Sequence, residues 1–185
     1  MVVNNRNINK GFIRKFYMAL VYHGTSKYKG ILVARDGAIL SNLEKRIEWF
    51  KQMYYNQPSR NFEKEFPGMT IEQIALEIES SVYGKHETES RIKCLTVAMR
   101  KESTIHYAMS FEDDDGGLIL GVDLDDFYIE KLAQHYGNPN IRFVPGRLSL
   151  DSLKEIHLSP VAKSKHEKLI KEEFSRYNPS YFPIE

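Results

Sequence analysis

Strand-like runs stand at both ends of this chain and helical periodicity fills its middle, and that order constrains the fold more than any other feature of the sequence. "FYMALVY" (16–22), "RIKCLTVA" (91–98), "GGLILGVDL" (116–124), "IRFVP" (141–145) and "LKEIHLS" (153–159) are apolar runs rich in β-branched and aromatic residues. Between the first two lies helical pattern. Asn42 can cap a helix "LEKRIEWFKQMYYNQ", whose Leu43, Ile47, Phe50 and Tyr54 share a stripe and which Pro58 ends. After a loop "SRNFEKEFPGM", Thr70 and Gln73 form a capping box ahead of Ile71, Ile74, Ile78 and Val82. This grouping predicts an α+β architecture rather than a regular βαβ alternation.

Finer expectations follow along the chain. Residues 1–12 are polar and predicted to be loosely held, and residues 42–84 form a helical layer inserted in a single domain. The first strand covers 16–22 and ends abruptly in His23-Gly24-Thr25-Ser26. Residues 26–35 form a short helix or turn closed by Asp36-Gly37. "MRKESTIHYAMSF" (99–111) and "DDFYIEKLAQHY" (125–136) read as helices, the second closed by Gly137-Asn138-Pro139. Pro160 precedes a charged helix over 161–176, whose thin stripe of Leu169, Ile170 and Phe174 is enough to dock it, and "NPSYFPIE" finishes the chain as a tail.

Bulk properties exclude several function classes. The 185 residues carry a formal net charge of +1, which removes any argument from overall charge for a nucleic-acid or anionic-membrane partner. No apolar run approaches the ~20 residues needed to span a bilayer, and "MVVNNRNINK" lacks a signal-peptide core. One cysteine, Cys94, forms no internal disulfide and makes the cytoplasm the default compartment. The histidines lack metal-ligand spacing, and His86, His135 and His166 sit in polar surroundings, so no metal is expected. No Gly-rich phosphate loop of either common type is present.

The abrupt "YHGTS" (22–26) raises the question of chemistry. A neutral imidazole donates from one nitrogen and accepts at the other. Gly24 lets a planar ligand approach the backbone, and Thr25 adds a hydroxyl, so the three make a polar corner at a sheet edge. Alone, a His-Gly-Thr triplet is better explained by a turn glycine beside a satisfied histidine at a strand end.

The order of the other segments shifts that balance. "YHGTS", "GILVARDG", "CLTVAMRKESTIHYA", "GGLILGVDL" and "IRFVPGRLSLDSLKEIHL" together resemble the ADP-ribosyltransferase-fold family in its His-type branch, the diphtheria-toxin and poly-ADP-ribose-polymerase-like branch, over most of residues 17–158. The resemblance implies split antiparallel sheets with helices, NAD as substrate, and glycosyltransferase chemistry that moves ADP-ribose to a protein, nucleic-acid or small-molecule acceptor. It implies that His23 hydrogen-bonds the NAD ribose, that the Gly24 backbone clamps the nicotinamide amide with Thr25 in support, that Tyr107 stacks under the nicotinamide, and that Thr104, with Ser103 adjacent, binds the carboxamide. An aromatic face suits a cationic pyridinium.

Two positions depart from the family's pattern. The residue that sandwiches the nicotinamide from its other face falls on Cys94 or Thr96, and neither can stack. The catalytic glutamate falls in "NPNIRFVPG" on Asn140, Ile141 or Arg142, and no carboxylate occurs between Glu130 and Asp151. Loss of one such transition-state group costs on the order of 10²–10³ in rate, which argues against chain elongation. Arg142 stands there as a candidate phosphate clamp. The acidic turn Glu112 to Asp115 reads as a solvated loop rather than a substitute, and Asp125 as a helix cap. Three readings therefore stay open: a mono-ADP-ribosyltransferase, a catalytically degenerate nucleotide-binding or interaction module, and, as a lesser alternative, an enzyme like the RNA 2′-phosphotransferases, whose histidine strand "EIHLS" (155–159) resembles but follows too late in the chain.

Overall fold

The computed structural model describes residues 18–83, 92–135 and 137–185. Expectations for residues 1–17, including the first two residues of the first strand, and for 84–91 with His86, lie outside the described residues, as does Tyr136.

Among the described residues nine strands and seven helices alternate irregularly: β1 (Met18–Ser26), α1 (Lys27–Asp36), β2 (Ala38–Leu40), α2 (Asn42–Asn56), α3 (Phe62–Glu65), α4 (Ile71–Tyr83), β3 (Cys94–Ala98), α5 (Glu102–Met109), β4 (Gly117–Asp125), α6 (Asp126–Lys131), β5 (Ala133–His135), β6 (Asn138–Pro145), β7 (Arg147–Ser149), β8 (Leu153–Leu158), α7 (Pro160–Glu173) and β9 (Ser180–Pro183). Seven strands form one sheet in the order β5-β6-β3-β1-β4-β8-β9, and β2 pairs with β7 in a second, two-stranded sheet. The fold is α+β, as the segment order predicts. All neighbours are antiparallel except β8 and β9.

The large sheet is divided at its centre. β1 and β4 pair along nine consecutive positions, from Met18 opposite Asp125 to Ser26 opposite Gly117. On its other side β1 meets β3 through one register pair, Tyr22 opposite Ala98. Past Tyr22, the two halves therefore part, and His23, Gly24 and Thr25 stand at the opening.

Local chemistry sets most element ends. The first strand does not stop at Tyr22: the apolar run of β4 offers a pairing partner through Ser26, and only there does the Ser26 Oγ accept from the Lys29 amide (3.3 Å) and start α1. Gly37, at φ 79°, closes that helix with its N–H on the Val33 carbonyl. The cap of α2 is Ser41 rather than Asn42, through an Oγ that accepts from the Glu44 amide (3.2 Å). Thr70 and Gln73 form the expected box, with reciprocal bonds of 2.7 and 3.2 Å. The loop "SRNFEKEFPGM" contains one helical turn, α3, because Asn61 caps it from the Lys64 amide.

Tertiary pairing overrides helical pattern in two places. In "DDFYIEKLAQHY" Asp125 caps α6 as expected, through the Tyr128 amide, but the helix ends at Lys131 and Ala133 and Gln134 pair with Phe143 and Arg142 of β6. The tail "NPSYFPIE" is a parallel strand on β8, with His157 opposite Phe182. The charged helix α7 runs from Pro160 to Glu173, capped by Ser159, and is followed by a 3-10 turn over Ser175–Tyr177.

Packing follows the two faces of the sheet. Val21, Leu118, Leu120, Val122, Ile156 and Leu158 build the main core with Val33 and Ala34 of α1, Ile170 of α7 and Phe174 just after it. On the opposite face α5 lies over β4, with Ala108 against Ile119, Ile184 and Tyr22. Gly117 permits this seat, since a Cβ there would stand 1.9 Å from the Ala108 carbonyl oxygen. The helices α2 and α4 form a separate cluster around Ile47, Phe50, Ile74 and Ala75; Val82, expected on its buried face, is 65% exposed in the last turn. No described helix is long and apolar enough to cross a membrane.

The acidic turn is structural rather than merely solvated. Glu112 accepts from the Val161 amide at the start of α7 (3.0 Å), and Asp115 pairs with Lys27 (2.7 Å) and His166 (3.2 Å).

Candidate functional site

The His23 side chain reaches across the opening between β1 and β3. His23 Nδ1 lies 3.0 Å from the carbonyl oxygen of Thr96, the residue of β3 that faces Phe143 of β6. A carbonyl only accepts, so the proton is on Nδ1 and the neutral ring keeps its Nε2 lone pair. Burial pushes the His23 pKa down to about 4, and the charges of Lys45 and Lys29 push the same way, against the Thr96 bond. Lys45 itself is lowered from the usual lysine value, by burial first and then by Lys29. A neutral acceptor with two ammonium groups nearby thus sits where the sheet divides.

Side-chain alternation along β1 separates the residues of the motif. Gly24 faces α5. A Cβ on it would meet the Tyr107 ring at 3.0 Å and the Thr104 carbonyl oxygen at 3.3 Å, so glycine is what lets helix and strand approach. Tyr107 is 52% exposed, with Phe111 edge-on to it at 5.2 Å. Thr104 is buried and its hydroxyl donates to the Lys101 carbonyl (2.7 Å), while Ser103 is exposed beside it. His23 and Thr25 belong to the other face. Thr25 is buried, its methyl within 3.5 Å of where a Cβ on Gly30 would stand, so it packs beneath α1 instead of opening a polar corner.

The remaining candidates are spread over β3 and β6. Thr96 has an exposed side chain, and Cys94 is partly buried opposite Pro145. Arg142 pairs with Val97, and its Nη1 donates to the carbonyls of Pro139 and Ile141, which folds the guanidinium back on its own strand. The Asn140 carbonyl accepts from the Met99 amide (2.7 Å). Among the described residues no cluster of three or more His, Cys, Asp or Glu side chains is placed to hold a metal ion.

Sequence reasoning passed over Lys29 and Lys45, because two lysines in separate helices show no spacing signal; only the fold brings their charges to His23.

Comparison with protein-family models and with curated proteins finds no match. The solved structures that are similar include two that align over 90% of this chain at 9% identity. One is Thermus sp. 2.9 DarT in complex with ADP-ribosylated ssDNA (TM-score 0.49, 94% of that chain), the other the same protein in complex with NAD+ (TM-score 0.48, 95% of that chain).

Proposed function

We propose that the chain binds NAD at the β1–β3 opening and acts as a mono-ADP-ribosyltransferase of the His-type, in which the glycosidic bond to nicotinamide breaks and an acceptor nucleophile takes the ribose carbon. The observation that carries this reading is the fixed tautomer of His23. Its Nδ1–H is committed to Thr96, which leaves Nε2 to accept from a ribose hydroxyl. Lys29 and Lys45 supply positive charge for the pyrophosphate. The half-exposed Tyr107, seated on Gly24, offers an aromatic face to the nicotinamide ring. In this reading Thr104 and Ser103 flank the carboxamide, Thr25 and Thr96 hold the strand edges, and Arg142 turns to a phosphate only by leaving its two carbonyls.

One observation favours the second reading, a nucleotide-binding module that does not turn over: β6, from Asn138 to Pro145, carries no carboxylate. Calorimetric titration of NAD into the wild type and His23→Ala tests the shared premise. Micromolar-range heat that disappears in His23→Ala supports the site; no heat with the wild type refutes it. Nicotinamide release from the NAD-bound protein then separates transferase from module.

A further inference from the structure

The face of β1 opposite His23 carries a second polar site. Tyr22, Glu155 and His157 line an open cleft of about 530 Å³ together with Phe182 and, on its rim, Met99, Arg100, Lys101 and Glu102. That size is ordinary for a small-ligand cleft.

The sheet register builds the group. Tyr22 faces Gly121 and Gly121 faces Glu155, so a glycine separates the two polar residues. A Cβ on Gly121 would stand 2.6 Å from the Glu155 Cγ, so the bare strand lets the Glu155 side chain lie across it toward Tyr22. His157 Nε2 donates to Glu155 Oε1 (2.9 Å), and its Nδ1 is buried without a partner among the described residues. Phe182, paired with His157 across β8 and β9, stacks on the imidazole at 5.3 Å and 28° while staying 43% exposed. Burial and the Glu155 carboxylate push the Tyr22 hydroxyl up to about 12, so it remains a donor.

The donor and acceptor count selects the ligand. A carboxylate offers about four acceptor positions; His157 occupies one, and the Tyr22 hydroxyl stands beside a second. Two remain on a side chain that is 19% exposed beside an apolar ring. The complement is a planar ring with two adjacent N–H donors on one edge. Guanine has that edge in its N1–H and N2–H, and adenine presents an acceptor at N1 instead. A guanidinium has paired N–H groups too, but Arg100 and Lys101 already balance Glu102 and Glu155 in the lining, which leaves no net pull on a cation, while the same two side chains can meet a phosphate.

We propose that the Tyr22–Glu155–His157 cleft binds a guanine nucleotide, with the base edge on Glu155, the ring against Phe182 and the phosphate at Arg100 and Lys101. The site stands apart from the NAD reading, and each survives failure of the other.

Calorimetric titration of GMP and AMP into the full chain tests it, with His23→Ala, Glu155→Gln and Phe182→Ala alongside and each variant's fold checked by its melting curve. The wild type is expected to bind GMP at least tenfold more tightly than AMP, because a site built for two donors rejects a base that lacks them. Glu155→Gln is expected to lose about tenfold or more for GMP, the scale of charge-assisted hydrogen bonds. Phe182→Ala, at an exposed edge position, weakens both nucleotides, and His23→Ala leaves GMP binding unchanged. Equal affinity for the two bases, no GMP binding by folded wild type, wild-type GMP affinity in folded Glu155→Gln, displacement of GMP by NAD, or preference for arginine amide over GMP would each overturn the proposal.

Discussion

Acidification should strike His23 before it reaches the rest of the sheet. In the unfolded chain the imidazole titrates near its ordinary 6.5, and in the folded protein burial holds it near 4. Between those values the unfolded chain binds the extra proton and the native state refuses it, so stability rises with pH across that window. The contribution is whole above about 6.5, is lost as pH falls, and is spent by about 4. At 1.36 kcal/mol per pKa unit, the full shift sets an upper limit of about 3 kcal/mol on the loss from pH 7 to pH 4, reduced by the partial exposure of the ring. Carboxylates also titrate in this range, so the measurement is a difference. Denaturant unfolding at pH 4, 5, 6 and 7 is compared between wild type and His23→Gln, which keeps a donor for Thr96 and cannot take the proton. The wild type should lose more than the variant, by up to about 3 kcal/mol. Parallel slopes, or a His23 ring that titrates by NMR between 6 and 7, would refute the reasoning.

Other perturbations give separate checks. Gly117→Ala puts a methyl against the Ala108 carbonyl and should unseat α5 from β4 at a cost of about 3 kcal/mol, read from the urea midpoint. Ser159→Ala removes a buried hydroxyl that accepts from the Gly117 amide (2.9 Å) and caps α7 through Ala162; about 1–2 kcal/mol should be lost, with the melting temperature as readout. Lys45→Ala should weaken NAD binding several-fold, roughly 3- to 10-fold at low salt and less at 0.5 M, in calorimetry. Tyr107→Ala should leave the fold intact, since its ring is half exposed, and should cost NAD about tenfold in affinity.

What could be read from the sequence tracks where the physics is local. Apolar periodicity places β3, β4, β8, α2 and α4, and side-chain caps such as Thr70 with Gln73 announce themselves within four residues. Errors arise where a distant segment decides. Ala133 and Gln134 follow a helical pattern and yet pair with β6, because β6 has an unfilled edge there. Ser180 to Pro183 reads as a tail until β8 supplies its partner. The site divides in the same way. His23, Gly24 and Tyr107 are visible as residue types in order, but their assignment to two faces of β1 requires knowing that the strand runs on through Ser26. Glu155 and His157 read as letters arriving too late in the chain; the sheet brings them beside Tyr22 across a single glycine.

Tyr22 and His23 are consecutive residues with opposite outlooks, and their shared peptide ties two chemistries to one reading frame of the backbone. A single inserted or deleted residue in β1 would turn the imidazole toward α5 and the phenol toward the main core, exchanging the two surfaces rather than weakening either. The nine continuous pairs with β4 act as the ratchet against that slip. Substitution can therefore tune each face separately, whereas a change in the length of β1 must disable both together.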